Sequence, residues 1–387
     1  MPMTSCWKKS VATAAALLGL TTAVAGAQAP PATAGETEAA LRVTRFLGEH
    51  VVPHKLDLKG TVVGGFSGMD RDPLTGTWYF ISDDRWRYNP ARFYTGRVDI
   101  DPLTGAFKGV RVEDVKTFLD AAGEPYPGFG KEFTVDPESL RLDPWSRQLL
   151  WAQEGDRPDE ARPTLPLSQQ SIRWATKSGG YLAELPLPEN IHLTETDSGT
   201  RRNTGIEALT FTATRIVAAN EDPVYEDGPM PTVEKGATTR ITVWDRFHRI
   251  RAQYAYEIDA LPAAPIPGGG ITDSGVSEIL SIDENRFLAL ERSWIEGVNY
   301  RTKLYEFDLR GADDVLDRDS LADGGYTPVS KRLVYDFGVL DGPQQNLEAM
   351  AWGPRLLTGE CSLVIAADDN FDSREKAQFL AFGVRGC

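Results

Sequence analysis

The sequence predicts an all-β fold, a β-propeller of four-stranded blades. Three observations carry this expectation: a unit of about seventy residues recurs, each unit holds short strand-like runs, and long helical periodicity is absent. Each unit opens with an acid inside a short apolar run and continues with a second apolar run that ends in an acid. Asp136-Pro137-Glu138-Ser139-Leu140 leads to Leu149-Leu150-Trp151-Ala152-Gln153-Glu154. Gly205-Ile206-Glu207-Ala208-Leu209 leads to Ile216-Val217-Ala218-Ala219-Asn220-Glu221. Val276-Ser277-Glu278-Ile279-Leu280 leads to Phe287-Leu288-Ala289-Leu290-Glu291, and Asn346-Leu347-Glu348-Ala349-Met350 to Leu363-Val364-Ile365-Ala366-Ala367-Asp368. A divergent copy comes first, with Ser67 where the others carry Glu, and Trp78-Tyr79-Phe80-Ile81-Ser82-Asp83 after it. The repeat count gives five blades; the insert at 156–180 is long enough to hide strands, so six is the alternative.

Taken in order, residues 1–27 have the layout of a secretory signal peptide. Lys8 and Lys9 precede an apolar run from Val11 to Ala27, which ends in Ala25-Gly26-Ala27. Residues 28–40 are rich in Ala, Pro, Gly and Thr and read as a flexible lead. The propeller domain then occupies 41–387. Its first strand-like run, Leu41 to Val52, has no partner in the first unit, while the last unit ends after three strands, the third being Gln378 to Val384. The N-terminal strand therefore completes the last blade and removes an open edge. In between, Arg240-Ile241-Thr242-Val243-Trp244 and Gln253-Tyr254-Ala255-Tyr256-Glu257-Ile258 supply the outer strands of the third unit. Lys303-Leu304-Tyr305-Glu306-Phe307 and Arg332-Leu333-Val334-Tyr335 supply those of the fourth. Loss of the leader removes Cys6 and leaves Cys361 and Cys387, an even pair expected to form a disulfide in an oxidising compartment, periplasmic or extracellular.

Composition narrows the function. The chain has 387 residues, 41% hydrophobic and 25% charged, which excludes a disordered, collagen-like or polytopic membrane protein. Lys and Arg number 41 against 56 Asp and Glu, a net charge of −15. Removing residues 1–27 takes away two lysines and no acid, and the mature charge becomes −17. Such a chain suits cations or neutral ligands, not nucleic acid or an anionic membrane. Four His and three Cys leave little room for zinc chemistry.

A hairpin brings the first acid of strand one and the last acid of strand two to the same end. In a propeller this gathers Glu138, Glu207, Glu278 and Glu348 around one mouth, with Asp83, Glu154, Glu221, Glu291 and Asp368 just outside. Asp369 adds a further oxygen beside Asp368. Crowded carboxylates take up protons, pair with basic side chains or bind a cation. Oxygen-only donors favour Ca²⁺ over Mg²⁺. Within this set Glu207 or Glu278 is the candidate general base, and Arg85 and Arg292, beside ring acids, are candidate substrate ligands. A purely structural role, holding blades together, is the competing reading for the inner Glu set. Other chemistry is weak. Gly65-Phe66-Ser67-Gly68-Met69 is half of a nucleophile elbow, Gly268-Gly269-Gly270 lacks the P-loop lysine, and His50, His54, His192 and His248 stand apart from the repeated acids.

These residues resemble the esterase-like phytase family, also called phytase-like domain proteins. The pieces are Gly65-Phe66-Ser67-Gly68-Met69-Asp70, Ile81-Ser82-Asp83-Asp84-Arg85, Asp136-Pro137-Glu138, Asn203-Thr204-Gly205-Ile206-Glu207, Leu290-Glu291-Arg292, Asn346-Leu347-Glu348 and Asp368-Asp369-Asn370-Phe371, in that order across roughly residues 60–372. The resemblance implies an exported β-propeller that hydrolyses phosphate esters or related esters, with calcium as the implied cofactor. A small-molecule ester or phosphate ester is then the expected partner. Two further readings stand beside it: a non-catalytic exported binding module, and a lactonase-like propeller using the same metal logic.

Overall fold

Apolar and aromatic residues alternate along short runs that end at Asp-Pro and Gly turns. In the computed structural model, which describes residues 40–387, those runs become twenty-two strands, with three single-turn 3₁₀ helices. The expected leader and nearly all of the expected lead lie outside the described residues.

Strand β1 (Arg42–Val51) comes first, followed by a small hairpin of β2 (Leu56–Leu58) and β3 (Thr61–Val63). Blade one is β4 (Gly68–Arg71), β5 (Trp78–Ser82), β6 (Arg92–Ile100) and β7 (Phe107–Thr117). Blade two is β8 (Pro137–Leu142), β9 (Leu149–Gln153), β10 (Ser171–Ala175) and β11 (Tyr181–Glu184). Blade three is β12 (Ile206–Phe211), β13 (Arg215–Asn220), β14 (Ala237–Asp245) and β15 (Ile250–Ile258). Blade four is β16 (Thr272–Ser281), β17 (Arg286–Ile295), β18 (Asn299–Asp308) and β19 (Ser330–Asp336). Blade five is β20 (Asn346–Trp352), β21 (Cys361–Asp368), β22 (Gln378–Arg385) and, as its outermost strand, β1. All pairings are antiparallel, and the innermost strands touch in the cycle β4, β8, β12, β16, β20 and back to β4. The count is five. The insert at 156–180 contains blade two's own third strand, not a sixth blade.

Side chains that alternate along each strand serve opposite flanks, so every blade packs on both neighbours. Phe80 faces blade five, against Phe379 and Val364, while Tyr79 and Ile81 face blade two, against Leu140 and Trp151. Equivalent apolar clusters fill the spaces between blades two and three, three and four, and four and five. Trp78, Trp151 and Trp244 are buried in these seams, with Trp151 stacked on Phe118.

Closure depends on β1. It pairs with β22 from Arg42↔Arg385 to Val51↔Gln378. Cys361, at the start of β21, is disulfide-bonded to Cys387 beyond the end of β22, across 26 residues. The bridge ties the last strand to its neighbour near where β1 begins. Replacing both cysteines with serine is expected to lower stability by roughly 3 kcal/mol, the loop entropy returned to the unfolded chain, read as a lower urea midpoint.

Candidate functional site

Four of the five innermost strands share a local irregularity. In blades two, three and five a β-bulge falls at Glu138, Glu207 and Glu348, where one inner-strand residue has no partner on the second strand. A bulge re-aims its side chain. These three glutamates turn into a cavity of about 660 Å³ at the mouth of the ring. Blade four has its bulge at Ser277. Ser67 holds the same position in blade one, just before β4. The inner ring is therefore Ser67, Glu138, Glu207, Ser277 and Glu348.

The outer ring follows from backbone pairing. Asp83, Glu154 and Glu221 each donate their amide to the residue two before the bulge position, namely Gly65, Asp136 and Gly205. Asn346 pairs with Asp368, and Gly275 pairs with Arg292. Blade four thus contributes a cation, Arg292, where its neighbours contribute acids.

This corrects the expected rings by one residue in blade four. Glu278 does not join the inner ring. It is 0% exposed, and Arg141 Nη2 lies 2.7 Å from its Oε2. Arg141 donates to the carbonyls of Leu209 at 2.6 Å, Ile279 at 2.9 Å and Met69, and Glu278 also accepts from the Met350 amide. One ion pair thereby touches all five inner strands and closes the centre of the ring. Glu291 lies between blades three and four, bonded to Tyr256 Oη at 2.8 Å, the Asp259 amide at 3.0 Å and Lys331 Nζ at 2.5 Å. Asp369 sits behind the ring and accepts from the Gly65 amide at 2.9 Å, with His54 Nδ1 at 3.4 Å from its other oxygen. None of Glu278, Glu291 and Asp369 lines the cavity.

The other expected residues do line it: Asp83, Glu138, Glu154, Glu207, Glu221, Glu348 and Asp368, with Arg85 and Arg292. Arg85 reaches Asp136 at 2.5 Å and Glu154 at 3.0 Å, and also Asn203. Arg292 reaches Glu221 and Asp273, each at 2.6 Å, and Glu348 at 3.4 Å. Two arginines do not neutralise the wall. Burial pushes Asp136, Glu154 and Glu348 up to about 7 even against these guanidiniums. Burial and neighbouring carboxylates push Asp83, Glu138, Glu207, Glu221 and Asp368 well above the usual carboxylate range. Glu138, Glu154 and Glu207 each bring a carboxylate oxygen within 4.8 Å of the other two, as do Asp83, Asp136 and Glu138.

The phytase-like family, described as esterase-like activity of phytase, matches residues 61–371. The chain belongs to this family. No curated protein matches it. Among solved structures, a member of the DUF4221 family from Bacteroides vulgatus is 9% identical over 89% of this chain and 98% of its own, with a TM-score of 0.34. A GH43 β-1,3-galactosidase is 8% identical over 86% and 94%, with a TM-score of 0.43. A mannose phosphorylase from Leishmania mexicana, solved with a phosphate ion, is 8% identical over 87% and 88%, with a TM-score of 0.38. At such scores these likenesses carry no inference about activity.

In this phytase-like chain the sequence left Asp136, Asp222 and Asp273 unassigned, and of these Asp273 lines the cavity. Asp136 leads the motif of blade two and sits between Arg85 and Glu154. Asp222 follows Glu221 as Asp84 follows Asp83 and Asp369 follows Asp368, a repeated acidic pair that could have flagged it. Asp273 has no such signal, because the equivalent positions are Val63, Thr134, Asn203 and Gln344.

Proposed function

We propose that this chain is an exported hydrolase of phosphate esters or related esters that works with a bound divalent cation. One observation carries the reading: Glu138 and Glu207 face the cavity with no hydrogen bond or ion pair among the described residues, although both are buried. Buried carboxylates without partners are costly, and an all-oxygen trio with Glu154 suits Ca²⁺. The residues present therefore fit the ion that the family implies, and Glu138, Glu154 and Glu207 would hold it. A divalent ion bound there supplies polarisation of an ester oxygen and a more acidic water. The Glu207 carboxylate oxygen not given to the ion is the proton acceptor of this reading. Arg87 and Arg162 stand on the cavity wall with no carboxylate in ion-pair contact among the described residues, one near the Asn370 carbonyl, the other over Phe129. They would draw an anionic substrate past the acidic wall. The Cys361–Cys387 bridge supports export to an oxidising compartment. Among the described residues no helix is long and apolar enough to cross a membrane.

The test is turnover of phosphate monoesters, acyl esters and lactones by the mature chain, with EDTA and with Ca²⁺. EDTA is expected to abolish activity, and Glu207→Gln to lower kcat/KM about a hundredfold or more. Lactone or acyl-ester turnover without phosphate release would assign the substrate class to those esters. Absence of turnover on all three, with Ca²⁺ still bound, would overturn the hydrolase in favour of a binding module.

A further inference from the structure

Three blades end their second strand in an acidic pair: Asp83-Asp84, Glu221-Asp222 and Asp368-Asp369. In one of them the second member is satisfied on both oxygens, and in another on one oxygen. Asp84 has Arg92 at 2.7 Å and the amides of Tyr88 and Asn89 at 3.0 Å. Asp369 has the Gly65 amide and His54. Asp222 differs. It is 1% exposed, and neither carboxylate oxygen has a hydrogen bond or ion pair among the described residues. Arg201, nearby, directs its donors to the carbonyls of Pro223 and Gly228 and lies 4.4 Å from the Tyr225 ring centre.

Asp222 is aimed at two other acids. One of its oxygens lies within 4.8 Å of ligand oxygens from both Glu221 and Asp273. Arg292 takes one oxygen of Glu221 and one of Asp273, leaving the second oxygen of each outside those contacts. Three ionised carboxylates against one guanidinium leave excess negative charge in a buried place. An isolated buried carboxylate is not tolerated at this density without a proton or a cation.

We infer that Glu221, Asp222 and Asp273 form a second divalent-cation site of the Ca²⁺ class, bridging blades three and four. The donors are oxygen only, and several can be supplied by three carboxylates. The Asp273 side chain is 40% exposed, which gives an ion an entry path and leaves room for waters to complete its coordination. The site joins the end of β13 to the start of β16 beside Arg292. It does not depend on hydrolysis.

The experiment is a calorimetric Ca²⁺ titration of the mature chain at pH 8, paired with melting curves in EDTA and in Ca²⁺. Wild type is expected to show two binding events. Asp222→Asn and Asp273→Asn should each weaken one event at least tenfold and leave the other, which Glu207→Gln removes. Asp222→Asn should also raise Tm in EDTA, because it deletes an uncompensated carboxylate, while shrinking the Ca²⁺-induced rise. Titrations unchanged from wild type in both Asp variants would overturn the site and make Asp222 a buried protonated acid. Absence of any Ca²⁺ binding would overturn it as well. Loss of the Glu207-dependent event alone leaves it standing, so failure of this site and failure of the hydrolase reading are separable. Asp273→Asn, on a half-exposed side chain, remains decisive if Asp222→Asn does not fold.

Discussion

Arg141→Met is expected to lower folding stability by about 3–5 kcal/mol, the usual result of removing one partner of a buried ion pair. Arg141 is 2% exposed and Glu278 is 0% exposed, so the pair is shielded from bulk solvent. The substitution keeps the side-chain volume roughly constant, which confines the effect to charge and hydrogen bonding. It strands the Glu278 carboxylate together with the carbonyls of Met69, Leu209 and Ile279. Each orphaned carbonyl adds about 1 kcal/mol or more. Burial already pushes Glu278 up to about 8 with Arg141 in place. Without the arginine it takes up a proton more readily, and the loss should be smaller at pH 5 than at pH 8. Arg141→Met combined with Glu278→Gln removes both charges and should recover part of the loss. Urea midpoints of the four chains give the result. A loss under about 1 kcal/mol for the single variant would mean that the centre of the ring is not sealed by this pair.

Where the sequence misplaced acids, it did so by one residue, and that distance decides the face of a strand. Val276-Ser277-Glu278 offers two polar residues in a row, and Glu291-Arg292 offers two charges in a row. The repeat alone favours the acid in each pair. The bulge at Ser277 chooses otherwise. It turns Ser277 toward blade five, where its hydroxyl donates to the Leu347 carbonyl at 3.0 Å, and sends Glu278 to Arg141. A serine carries no periodic signal, so nothing local marks the bulge. By contrast, five blades, the closing strand and the disulfide were legible, because each follows from counting: four strands per unit, one strand without a partner, two cysteines outside the expected leader. The cavity was legible where a glutamate falls on a bulge, in blades two, three and five. It was illegible at Asp273, which a single blade contributes without a repeat equivalent.

The rings also explain why a chain would keep so many buried acids in one place. Packing between blades is already complete in five apolar seams, and the centre is closed by Arg141. The mouth is then free to carry charge that does not help folding. Natural proteins accept such local conflict mainly at functional sites.

The metal-free chain should be most stable near pH 5 and lose stability as pH rises to 8. Asp136, Glu154 and Glu348 are pushed up to about 7 and Glu278 to about 8, in every case chiefly by burial. In the unfolded chain the same groups release protons near 4. Between those values the folded state holds more protons than the unfolded state. Stability then falls with pH, by about 1.4 kcal/mol per pH unit for each proton of difference. The opposite limb belongs to carboxylates held low in the fold. Glu360, bonded to Thr44 Oγ1 at 2.6 Å and to Arg45, is lowered to about 2, and its contribution disappears as pH falls through that value. A divalent cation competes with the protons of the rings, so it gains hold as they leave. Ca²⁺ should therefore raise Tm strongly at pH 8 and little at pH 5, and binding at pH 7 should release protons into the buffer. Melting curves from pH 5 to pH 8.5, with EDTA and with Ca²⁺, give both trends at once. A Tm that climbs from pH 5 to pH 8 in EDTA would mean the ring acids are ionised in the fold and compensated by their arginines, and an equal Ca²⁺ effect at both ends would place the ion away from them.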